Sequence, residues 1–401
     1  MSTASHVATP VPPAGTHHPA VGAATGLLGD WTPGARFLAT PTRTLLAGEP
    51  ATPVPHDERP VAARVAAALA EARAGGQAAP VAVGAIPFDQ EAPAALAVPR
   101  DLRTAPPLAG DPLALLPAEP PAAGAWTVRQ VPSAEEYGDA VAAAVARMWR
   151  GDFSKVVLAR TLELESPEPV ALPPLLQRLA RRDPGGYTFA LPTGADRTLL
   201  GASPELLVSR RGGHLVANPL AGSTPRSEDL AEDVRRAAAL LKSAKDLHEH
   251  AVVVDAVHQA LAPFCTEMSV PSTPTLVRTA TMWHLSTTVT GIPADPRTSA
   301  LELACALHPT PAVCGTPTAL ARQVIADSEP FDRGYFTGMV GWQDATGDGE
   351  WVVTIRCAEA EGRALRLYAG AGVVAASRPE AETAETAAKF GTFLGAVGAS
   401  L

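Results

Sequence analysis

Residues 206–218 have the sequence LLVSRRGGHLVAN, in which two strand-like runs flank the pair Gly212-Gly213. A glycine pair between such runs is typical of a tight β-hairpin, because glycine adopts the positive φ angles that the turn requires. Two long helical patterns follow, at residues 228–243 and 245–261. Hairpins mixed with long helices, without regular β-α-β alternation, predict an α+β fold with a largely antiparallel sheet.

Capping signals predict two further helices. Ser133 is followed three residues later by Glu136, a capping box that predicts a helix over residues 133–150. Ser377 and Glu380 form a second capping box, which predicts the start of the final helix. The longest strand-like runs between the helices are residues 155–164, 282–290 and 350–358.

Composition indicates a globular chain with a sizeable core. Of the 401 residues, 46% are hydrophobic and 18% are charged, as in ordinary globular proteins. The formal net charge is −9, from 32 basic and 41 acidic residues. This balance argues against a general nucleic-acid binder, because such proteins present a basic face. It still allows an anionic small substrate, since the local field of a pocket can oppose the global charge.

The cysteines and the N-terminal region indicate the compartment. The four cysteines form no C-x-x-C pair, which is typical of reduced thiols in a cytosolic protein. The first basic residue is Arg36, so no charged segment precedes an apolar run as in a signal peptide. No apolar stretch reaches transmembrane length. We therefore expect a cytoplasmic protein that binds neither membrane nor nucleic acid.

The pattern divides the chain into three regions. Residues 1–25 are rich in Pro, Ala, Thr and Gly, which predicts a flexible N-terminal tail. Residues 26–128 have an ambiguous pattern, and we interpret them as the N-terminal part of the fold. Residues 129–401 have the sharper pattern and contain the candidate site residues.

A proline-rich segment, HPTPAVCGTP, occupies residues 308–317 between two helical patterns. Its prolines restrict the backbone and remove amide donors. Such a stiff loop suits the wall of a site, where side chains must keep their positions. It can equally be a rigid connector, and the segment alone does not separate these interpretations.

The final helix contains a pair of carboxylates. Glu382 and Glu385 are three residues apart and therefore share one helix face, with Lys389 one turn further on. Such a pair can bind a hard divalent cation such as Mg²⁺, which takes oxygen ligands. The alternative is a solvated acidic first turn that complements the helix dipole.

The helix over residues 245–261 begins with KDLHEH. Its two histidines, His248 and His250, are two residues apart and do not face each other on a helix, which argues against zinc. Glu249 is a candidate third carboxylate for a magnesium site. The alternative for Glu249 is an intrahelical ion pair with Lys245.

Two further ionisable residues are candidates for acid–base chemistry. Lys155 begins an apolar strand, and in a closed pocket it could act as a base. Glu205 follows a tight turn, and in a pocket it could act as a general acid. The alternatives are an exposed strand end for Lys155 and a surface carboxylate beside Arg210 for Glu205.

The segment AGAGVVA at residues 369–375 formally matches the glycine pattern of dinucleotide-binding proteins. The chain ends too soon after it for the helix, strand and acidic residue that such a unit needs. Gly370 and Gly372 nevertheless have amides that an anion can approach closely. Arg356, on the preceding predicted strand, could face the same site.

Several segments together resemble the chorismate-utilising enzymes, and among them most closely the isochorismate synthases. The similar segments are residues 153–160, 201–205, 218–223, 245–250, 283–285, 308–317, 329–333, 349–358 and 369–374. They cover the chain from about residue 130 onward, so the resemblance marks 129–401 as the chorismate-binding catalytic region. It implies an anthranilate synthase component I-like fold, with large, mainly antiparallel sheets flanked by helices.

The resemblance also implies roles for individual residues. Lys155 resembles the general base that activates water for attack at C2 of chorismate. Glu205 resembles the general acid that protonates the departing C4 hydroxyl. Glu249 and Glu385 resemble ligands of one Mg²⁺, with Glu382 close by, and the metal would bind the ring carboxylate of chorismate.

The same resemblance implies the substrate contacts. Arg356, Lys389 and the amides around four further residues would hold the two carboxylates of chorismate: Gly222, Ser223, Gly370 and Gly372. Ala312 and Val313 would form a wall that helps decide which nucleophile reaches the ring. His308 would orient a neighbour or contact the substrate.

The resemblance implies the function of a magnesium-dependent isochorismate synthase. Residues 312–317 and 331–336 look more like the corresponding segments of enzymes for 2,3-dihydroxybenzoate siderophore synthesis than like those of enzymes for menaquinone synthesis. The alternatives are a menaquinone-pathway isochorismate synthase and a salicylate synthase, which tends to have a threonine near Ala312. Another is a non-catalytic chorismate-binding protein. Ammonia-using relatives need a glutamine amidotransferase, and no such partner subunit is expected here.

Overall fold

The computed structural model describes residues 20–121 and 124–401. Within these ranges the helices are α1 (Ala23–Asp30), α2 (Val61–Ala74), α3 (Ala134–Trp149), α4 (Leu172–Arg182), α5 (Leu230–Leu240), α6 (Ala244–Leu261), α7 (Ala300–Leu307), α8 (Thr318–Ser328) and α9 (Pro379–Val397). Short 3₁₀ turns lie at Leu108–Gly110, Pro112–Leu115 and Ala262–Phe264.

The strands of the described chain form two large sheets and one small sheet. In chain order they are β1 (Arg36–Ala39), β2 (Thr44–Ala47), β3 (Ala51–Pro53), β4 (Val81–Ile86), β5 (Ala95–Pro99), β6 (Leu102–Ala105), β7 (Thr127–Val131), β8 (Lys155–Glu165), β9 (Tyr187–Pro192), β10 (Arg197–Ser203), β11 (Leu206–Arg211), β12 (His214–Asn218), β13 (Leu220–Pro225), β14 (Cys265–Ser269), β15 (Thr275–Arg278), β16 (Met282–Ser286), β17 (Val289–Pro293), β18 (Gly315–Thr316), β19 (Met339–Asp344), β20 (Gly349–Val353), β21 (Cys357–Glu361) and β22 (Ala364–Val374).

The first sheet has the order β18-β8-β22-β21-β10-β9-β1-β2-β6, with β7 also paired to β8. The second sheet has the order β14-β17-β12-β11-β20-β19-β4-β5-β3, and the small sheet has the order β13-β16-β15. The pairings in all three are antiparallel in the described residues. The predicted α+β class with large antiparallel sheets is therefore confirmed.

The two large sheets pack face to face, and helices cover their outer sides. One apolar cluster joins Phe189 and Leu199 of the first sheet to Trp342 and Val352 of the second. A second cluster lies between the first sheet and α1, α4 and α9, and a third lies between the second sheet and α2, α6 and α7. The burial of these clusters is the main stabilising contribution of the fold.

The hairpin at residues 206–218 forms as predicted. β11 and β12 pair through Arg211 and His214. Gly212 and Gly213 have φ angles of 53° and 86°, the double positive φ that a type I′ turn requires. The glycine pair therefore establishes the antiparallel direction of these two strands.

One of the two predicted capping boxes is confirmed and the other is wrong. At α3, Ser133 Oγ accepts from the amide of Glu136, and Glu136 Oε2 accepts from the amide of Ser133. At α9, the N-cap is Arg378 and makes no side-chain cap. Ser377 Oγ instead accepts from the amide of Val374. This hydrogen bond closes the turn between β22 and the helix.

Two of the predicted strands are each divided into two. The run at residues 282–290 forms β16 in the small sheet and β17 in the second large sheet. The run at residues 350–358 forms β20 in the second sheet and β21 in the first. Each run is β-rich throughout, and the change of sheet depends on long-range packing that local patterning does not show.

Most of the predicted N-terminal tail, residues 1–19, lies outside the described residues, and α1 begins at Ala23, inside the range 1–25. Strands from residues before 128 pair within both large sheets, so this part of the chain belongs to the same layers as the rest. The four cysteines are free thiols, as expected. None of the helices in the described residues has the length and hydropathy needed to cross a membrane.

Candidate active site

Two adjacent chain crossings between the large sheets position the candidate acid and the candidate anion-binding arginine. Glu205 lies where the chain passes from β10 to β11, and Arg356 lies where it passes from β20 to β21. Backbone hydrogen bonds join the crossings: the amide of Ala202 donates to the carbonyl of Arg356, and the amide of Val353 donates to that of Glu205. The change of sheet thus brings together residues that are far apart in sequence.

A cavity with about 650 Å³ of empty space opens beside these crossings. Its walls come from β8, β13, β22, α6, α9 and the proline-rich segment. The lining residues are Val157, Pro204, Glu205, Leu220, Ala221, Gly222, Ser223, Glu249, His284, Ala312, Val313, Phe336, Thr337, Ile355, Arg356, Tyr368, Ala369, Gly370, Gly372, Glu385 and Lys389.

Lys155 is buried directly beside this cavity, with 1% of its surface exposed. Its Nζ lies 3.0 Å from Glu249 Oε1, but the geometry is not that of a hydrogen bond, and the amine has no hydrogen-bond partner among the described residues. A Cβ on Gly372 would overlap with Glu249 Oε1 and approach the Lys155 side chain. The absence of a side chain at Gly372 therefore allows this pair to form.

Glu205 is buried in the cavity wall, with 3% of its surface exposed. Burial raises its pKa to about 7, and the amide of Leu220 and the charges of Lys155, Lys389 and Arg356 offset only part of this effect. The carboxyl therefore exists partly in its acid form near neutral pH, as a general acid requires. Because Glu205 is buried, the alternative of a surface carboxylate beside Arg210 is wrong. Arg210 forms an ion pair with Asp348 instead.

Arg356 and Lys389 supply positive charge to the cavity. Arg356 has a φ angle of 49°, which is rare for a side chain of this size and is held by the surrounding strands. Burial lowers the pKa of its guanidinium to about 10, so it stays charged at neutral pH. Lys389 Nζ donates to the carbonyl of Gly370 at 2.8 Å and lies 2.6 Å from Glu385 Oε1.

Three carboxylates that the sequence assigns to a metal site each have a lysine partner. Glu249 pairs with Lys155, and Glu385 pairs with Lys389. Glu382 lies outside the cavity and accepts from Lys245 at 2.6 Å. The suggested pair between Lys245 and Glu249 is therefore replaced by contacts to other elements.

The donor chemistry of this region fits magnesium. Glu249 and Glu385 line one cavity, and carboxylate oxygens are the ligands that Mg²⁺ prefers. Burial opposes ionisation of Glu385, but Lys389, Lys245 and Ser223 outweigh it and lower its pKa. As the side chains stand, however, residues 20–121 and 124–401 contain no group of three or more His, Cys, Asp or Glu side chains positioned to hold an ion.

The remaining predicted substrate contacts are distributed around the cavity. Gly222, Ser223, Gly370 and Gly372 all line it. Ser223 Oγ donates to Glu385 Oε1 at 3.1 Å, so this hydroxyl already supports a candidate ligand. Gly370 and Gly372 lie inside strand β22.

The proline-rich segment contributes a wall, as predicted, but its histidine does not. Ala312 and Val313 line the cavity. His308 is buried outside it, where Nε2 lies 3.1 Å from the carbonyl oxygen of Phe88, and its ring packs edge-on against the Phe88 ring. The predicted substrate contact by His308 is therefore corrected: the ring anchors the start of the loop to the N-terminal part of the fold.

The structure also shows cavity residues that were not predicted. His284 is buried in the wall, and its Nε2 has no partner among the described residues. Burial, with the charges of Arg356 and Lys389, holds its pKa well below the usual value, so the ring is neutral. The segment at residues 283–285 belongs to the resemblance and could have identified it.

The other two histidines near the site have no metal-binding arrangement. His250 is buried, with Nδ1 3.2 Å from the carbonyl of Ala221 and Nε2 2.7 Å from Thr287 Oγ1. His248 is exposed on another face of α6. The expectation that these residues do not face each other is confirmed.

Known proteins resemble this chain over most of its length. A family model for chorismate binding enzymes matches residues 115–398. The isochorismate synthase DhbC of Bacillus subtilis is 55% identical over 383 residues, which cover 93% of this chain and 96% of that protein. The vibriobactin-specific isochorismate synthase of Vibrio cholerae is 46% identical and covers 80% of each chain.

Solved structures show the same likeness. The crystal structure of DhbC from Bacillus anthracis, named as a 2,3-dihydroxybenzoate-specific isochorismate synthase, has a TM-score of 0.87 at 48% identity and covers 94% of this chain and 99% of that one. Anthranilate synthase component I from Streptococcus pneumoniae has a TM-score of 0.70 at 19% identity, over 98% of this chain. The second likeness concerns the fold alone and confirms the predicted architecture.

Proposed function

This chain belongs to the chorismate-binding enzymes, and we propose that it is an isochorismate synthase, an isomerase that converts chorismate into isochorismate. Relatives with this activity in their names cover nearly its whole length. One observation carries the proposal: a buried carboxyl with a pKa of about 7 and a buried lysine amine without a hydrogen-bond partner lie at the same cavity. This is the acid–base pair that displacement of a hydroxyl by water requires.

The reaction can be followed through these two residues. Lys155 takes a proton from water while the water oxygen bonds to C2 of the ring. The ring double bonds shift, the C4–O bond breaks, and Glu205 gives its proton to the departing hydroxyl, which leaves as water. One water is consumed and one is released, so substrate and product are isomers.

The cationic groups of the cavity explain how an acidic protein binds a dianion. Arg356 can hold a carboxylate through two parallel N–H···O bonds, because its planar guanidinium matches the carboxylate geometry. Lys389 and the neutral ring of His284 lie in the same wall. These local donors oppose the net charge of −9.

Magnesium completes the proposed site. Glu249 and Glu385 would hold the ion, with Glu382 nearby, and the bound ion would supply positive charge to the ring carboxylate of the substrate. The support is the carboxylate chemistry and the space that Gly372 leaves beside Glu249. The lysines that now pair with these carboxylates would have to exchange partners when the ion binds.

The proposed product serves the synthesis of 2,3-dihydroxybenzoate. Two relatives support this assignment, because their names specify vibriobactin and 2,3-dihydroxybenzoate. Ala312 in the cavity wall is consistent with a water-using synthase, since salicylate synthases tend to have a threonine near this position.

The decisive experiment is product analysis of the purified protein with chorismate, with and without added Mg²⁺. We expect isochorismate as the main product and no turnover after removal of the metal with a chelator. Salicylate with an equal amount of pyruvate would identify a salicylate synthase instead. Binding of chorismate without turnover would identify a non-catalytic binding protein.

A further inference from the structure

We propose that Arg333 is a positioning residue that fixes the cavity wall around Val313 relative to the strand that carries Lys155, and thereby helps to select water as the nucleophile. This inference rests on the proposed function. Arg333 does not line the cavity, and its side chain is 3% exposed. It acts through residues that do line the cavity.

All five N–H donors of the Arg333 guanidinium have acceptors. Nε and Nη2 donate to Glu329 Oε2 and Oε1 at 2.8 and 2.5 Å. The remaining three donors reach the carbonyl of Val313 at 2.8 Å, the carbonyl of Val157 at 2.8 Å and the hydroxyl of Thr337 at 3.2 Å. A guanidinium has five such donors in a fixed plane, so the geometry of all four partners is set by one rigid group.

The guanidinium replaces a missing step in a β-ladder. Strand β18 pairs with the beginning of β8, and the amide of Val157 donates to the carbonyl of Cys314 at 2.7 Å. The reciprocal bond is absent, because the amide of Cys314 donates to Thr310 at 3.0 Å, inside the loop. The carbonyl of Val157 is left for Arg333 at the point where the proline-rich segment leaves the strand.

Glu329 satisfies the next group on the same strand edge. Its Oε1 accepts from the amide of Ala159 at 2.8 Å. The ion pair of Glu329 and Arg333 therefore continues the edge pairing of β8 with side chains, where no neighbouring strand segment does so. The pair is almost fully buried, and a buried charge needs such complete pairing to persist.

These contacts converge on the cavity. Val157, Val313 and Thr337 all line it, and Lys155 is two residues before Val157, on the same face of β8. The position of the Val313 wall relative to Lys155 determines where a small nucleophile can sit. Arg333 donates to the carbonyls of both Val313 and Val157, which lie on the two sides of that gap. A shorter side chain at position 333 should therefore alter where the nucleophile sits.

The test compares Arg333→Lys with Arg322→Lys. Lysine keeps the positive charge beside Glu329 but has three N–H donors where arginine has five. At least one of the other acceptors, which are the Val313 carbonyl, the Val157 carbonyl and the Thr337 hydroxyl, therefore loses its hydrogen bond. Arg322 is a matched control, because its guanidinium also lies over the Phe88 ring, at 4.8 Å from the ring centroid against 4.9 Å for Arg333, and its hydrogen bond goes to the carbonyl of Phe88. Steady-state kinetics and product analysis in buffer with and without an ammonium salt are measured for both variants.

We expect Arg333→Lys to lower kcat by about 10–100-fold, the cost of misplacing a reacting group by about 1 Å, with a smaller change in KM. The fraction of aminated product in ammonium buffer should rise, because the wall no longer excludes the second nucleophile. Arg322→Lys should retain wild-type kinetics. Equal kinetics and equal product ratios in the two variants would overturn the proposal.

A structural readout separates this proposal from the proposed function. Hydrogen exchange of residues 310–316 should increase in Arg333→Lys and not in Arg322→Lys, whatever reaction the protein catalyses. If Arg333→Lys does not fold, two variants of Thr337 replace it, because the Thr337 hydroxyl is one of the acceptors of Arg333. Thr337→Val removes the hydroxyl and should lower kcat in part. Thr337→Ser keeps the hydroxyl and should have kcat close to that of the wild type. Unchanged exchange in a folded Arg333→Lys would contradict the positioning role, whereas absence of isochorismate from the wild type would contradict only the function.

Discussion

The Nζ atom of Lys155 lies 3.0 Å from Glu249 Oε1, with both side chains buried and no hydrogen bond between them. The contact leaves the Lys155 Nζ atom without a hydrogen-bond partner among the described residues, although a carboxylate lies next to it. The contact depends on Gly372, because any side chain there would overlap with Glu249.

The first prediction concerns Lys155 as the base. Lys155→Ala should lower kcat for isochorismate formation by about 10²–10⁴-fold, the usual contribution of general acid–base catalysis. Lys242→Ala, at an exposed position after α5, is the control and should leave the rate unchanged. Circular dichroism of the variant checks that the fold persists. Near-normal turnover of Lys155→Ala would remove the assigned role.

The second prediction concerns the pH dependence of the rate. Glu205 must be protonated to act as the acid, and its pKa is raised to about 7 by burial. Wild-type kcat/KM should therefore fall as pH rises above about 7. Glu205→Gln keeps the shape but has no acidic proton, so its low residual activity should lack this decline. A decline at the same pH in Glu205→Gln would assign it to another group.

The same carboxyl predicts a pH dependence of stability. Its pKa is higher in the folded state, about 7, than the ordinary value of 4.5. Its contribution is therefore fully present below pH 4.5 and is lost as pH rises through 7. Between about pH 5 and pH 8, Glu205→Gln should gain about 2–3 kcal/mol in unfolding free energy relative to the wild type. Urea unfolding in chelator at both pH values measures this difference, and a constant difference would contradict it.

Local patterns predict those parts of the fold that local residues control. The glycine pair at 212–213 and the Ser133 cap form as predicted because each interaction is completed within a few residues. The run at residues 350–358 does not form one strand, because its break at Arg356 depends on strands from both sheets. The alternation of hydrophobic and polar residues along the sequence does not indicate such packing.

The candidate site shows the same distinction. Residue chemistry and the resemblance together identify Lys155, Glu205 and Arg356, and the structure places all three in or beside one cavity. The error at His308 arises because its partner, Phe88, is 220 residues away in sequence. The role of Arg333 was likewise not visible, because its acceptors come from three separate segments.

A fourth prediction concerns Arg356. Arg356→Lys keeps the charge but loses the planar fork that matches a carboxylate. We expect KM for chorismate to rise by about tenfold, the loss of one hydrogen bond to a charged group, with a smaller effect on kcat. Arg363→Lys, on an exposed turn, is the control. An unchanged KM in Arg356→Lys would place the substrate carboxylate elsewhere.

The fifth prediction concerns the metal. Glu249→Gln and Glu385→Gln each remove a charge from the proposed ligand set, so both should weaken binding of a divalent cation. Loss of a residue that only supports a metal ligand weakens metal binding by roughly 10–100-fold. We expect at least this effect from loss of a ligand itself. Mn²⁺ as a stand-in for Mg²⁺ allows binding to be followed by electron paramagnetic resonance without substrate or turnover. Glu380→Gln, an exposed position in the first turn of the same helix, is the matched control.

Glu382→Gln distinguishes direct from indirect participation in this metal site. Glu382 accepts from Lys245 outside the cavity, so its loss should weaken Mn²⁺ binding less than loss of Glu385 if it only supports the site. The lysine pairs add a further expectation: because Mg²⁺ and the lysine ammonium groups compete for the same carboxylates, Lys389→Met should bind Mn²⁺ more tightly than the wild type. Mn²⁺ affinity that is unaffected by both Glu249→Gln and Glu385→Gln would place the ion away from this cavity.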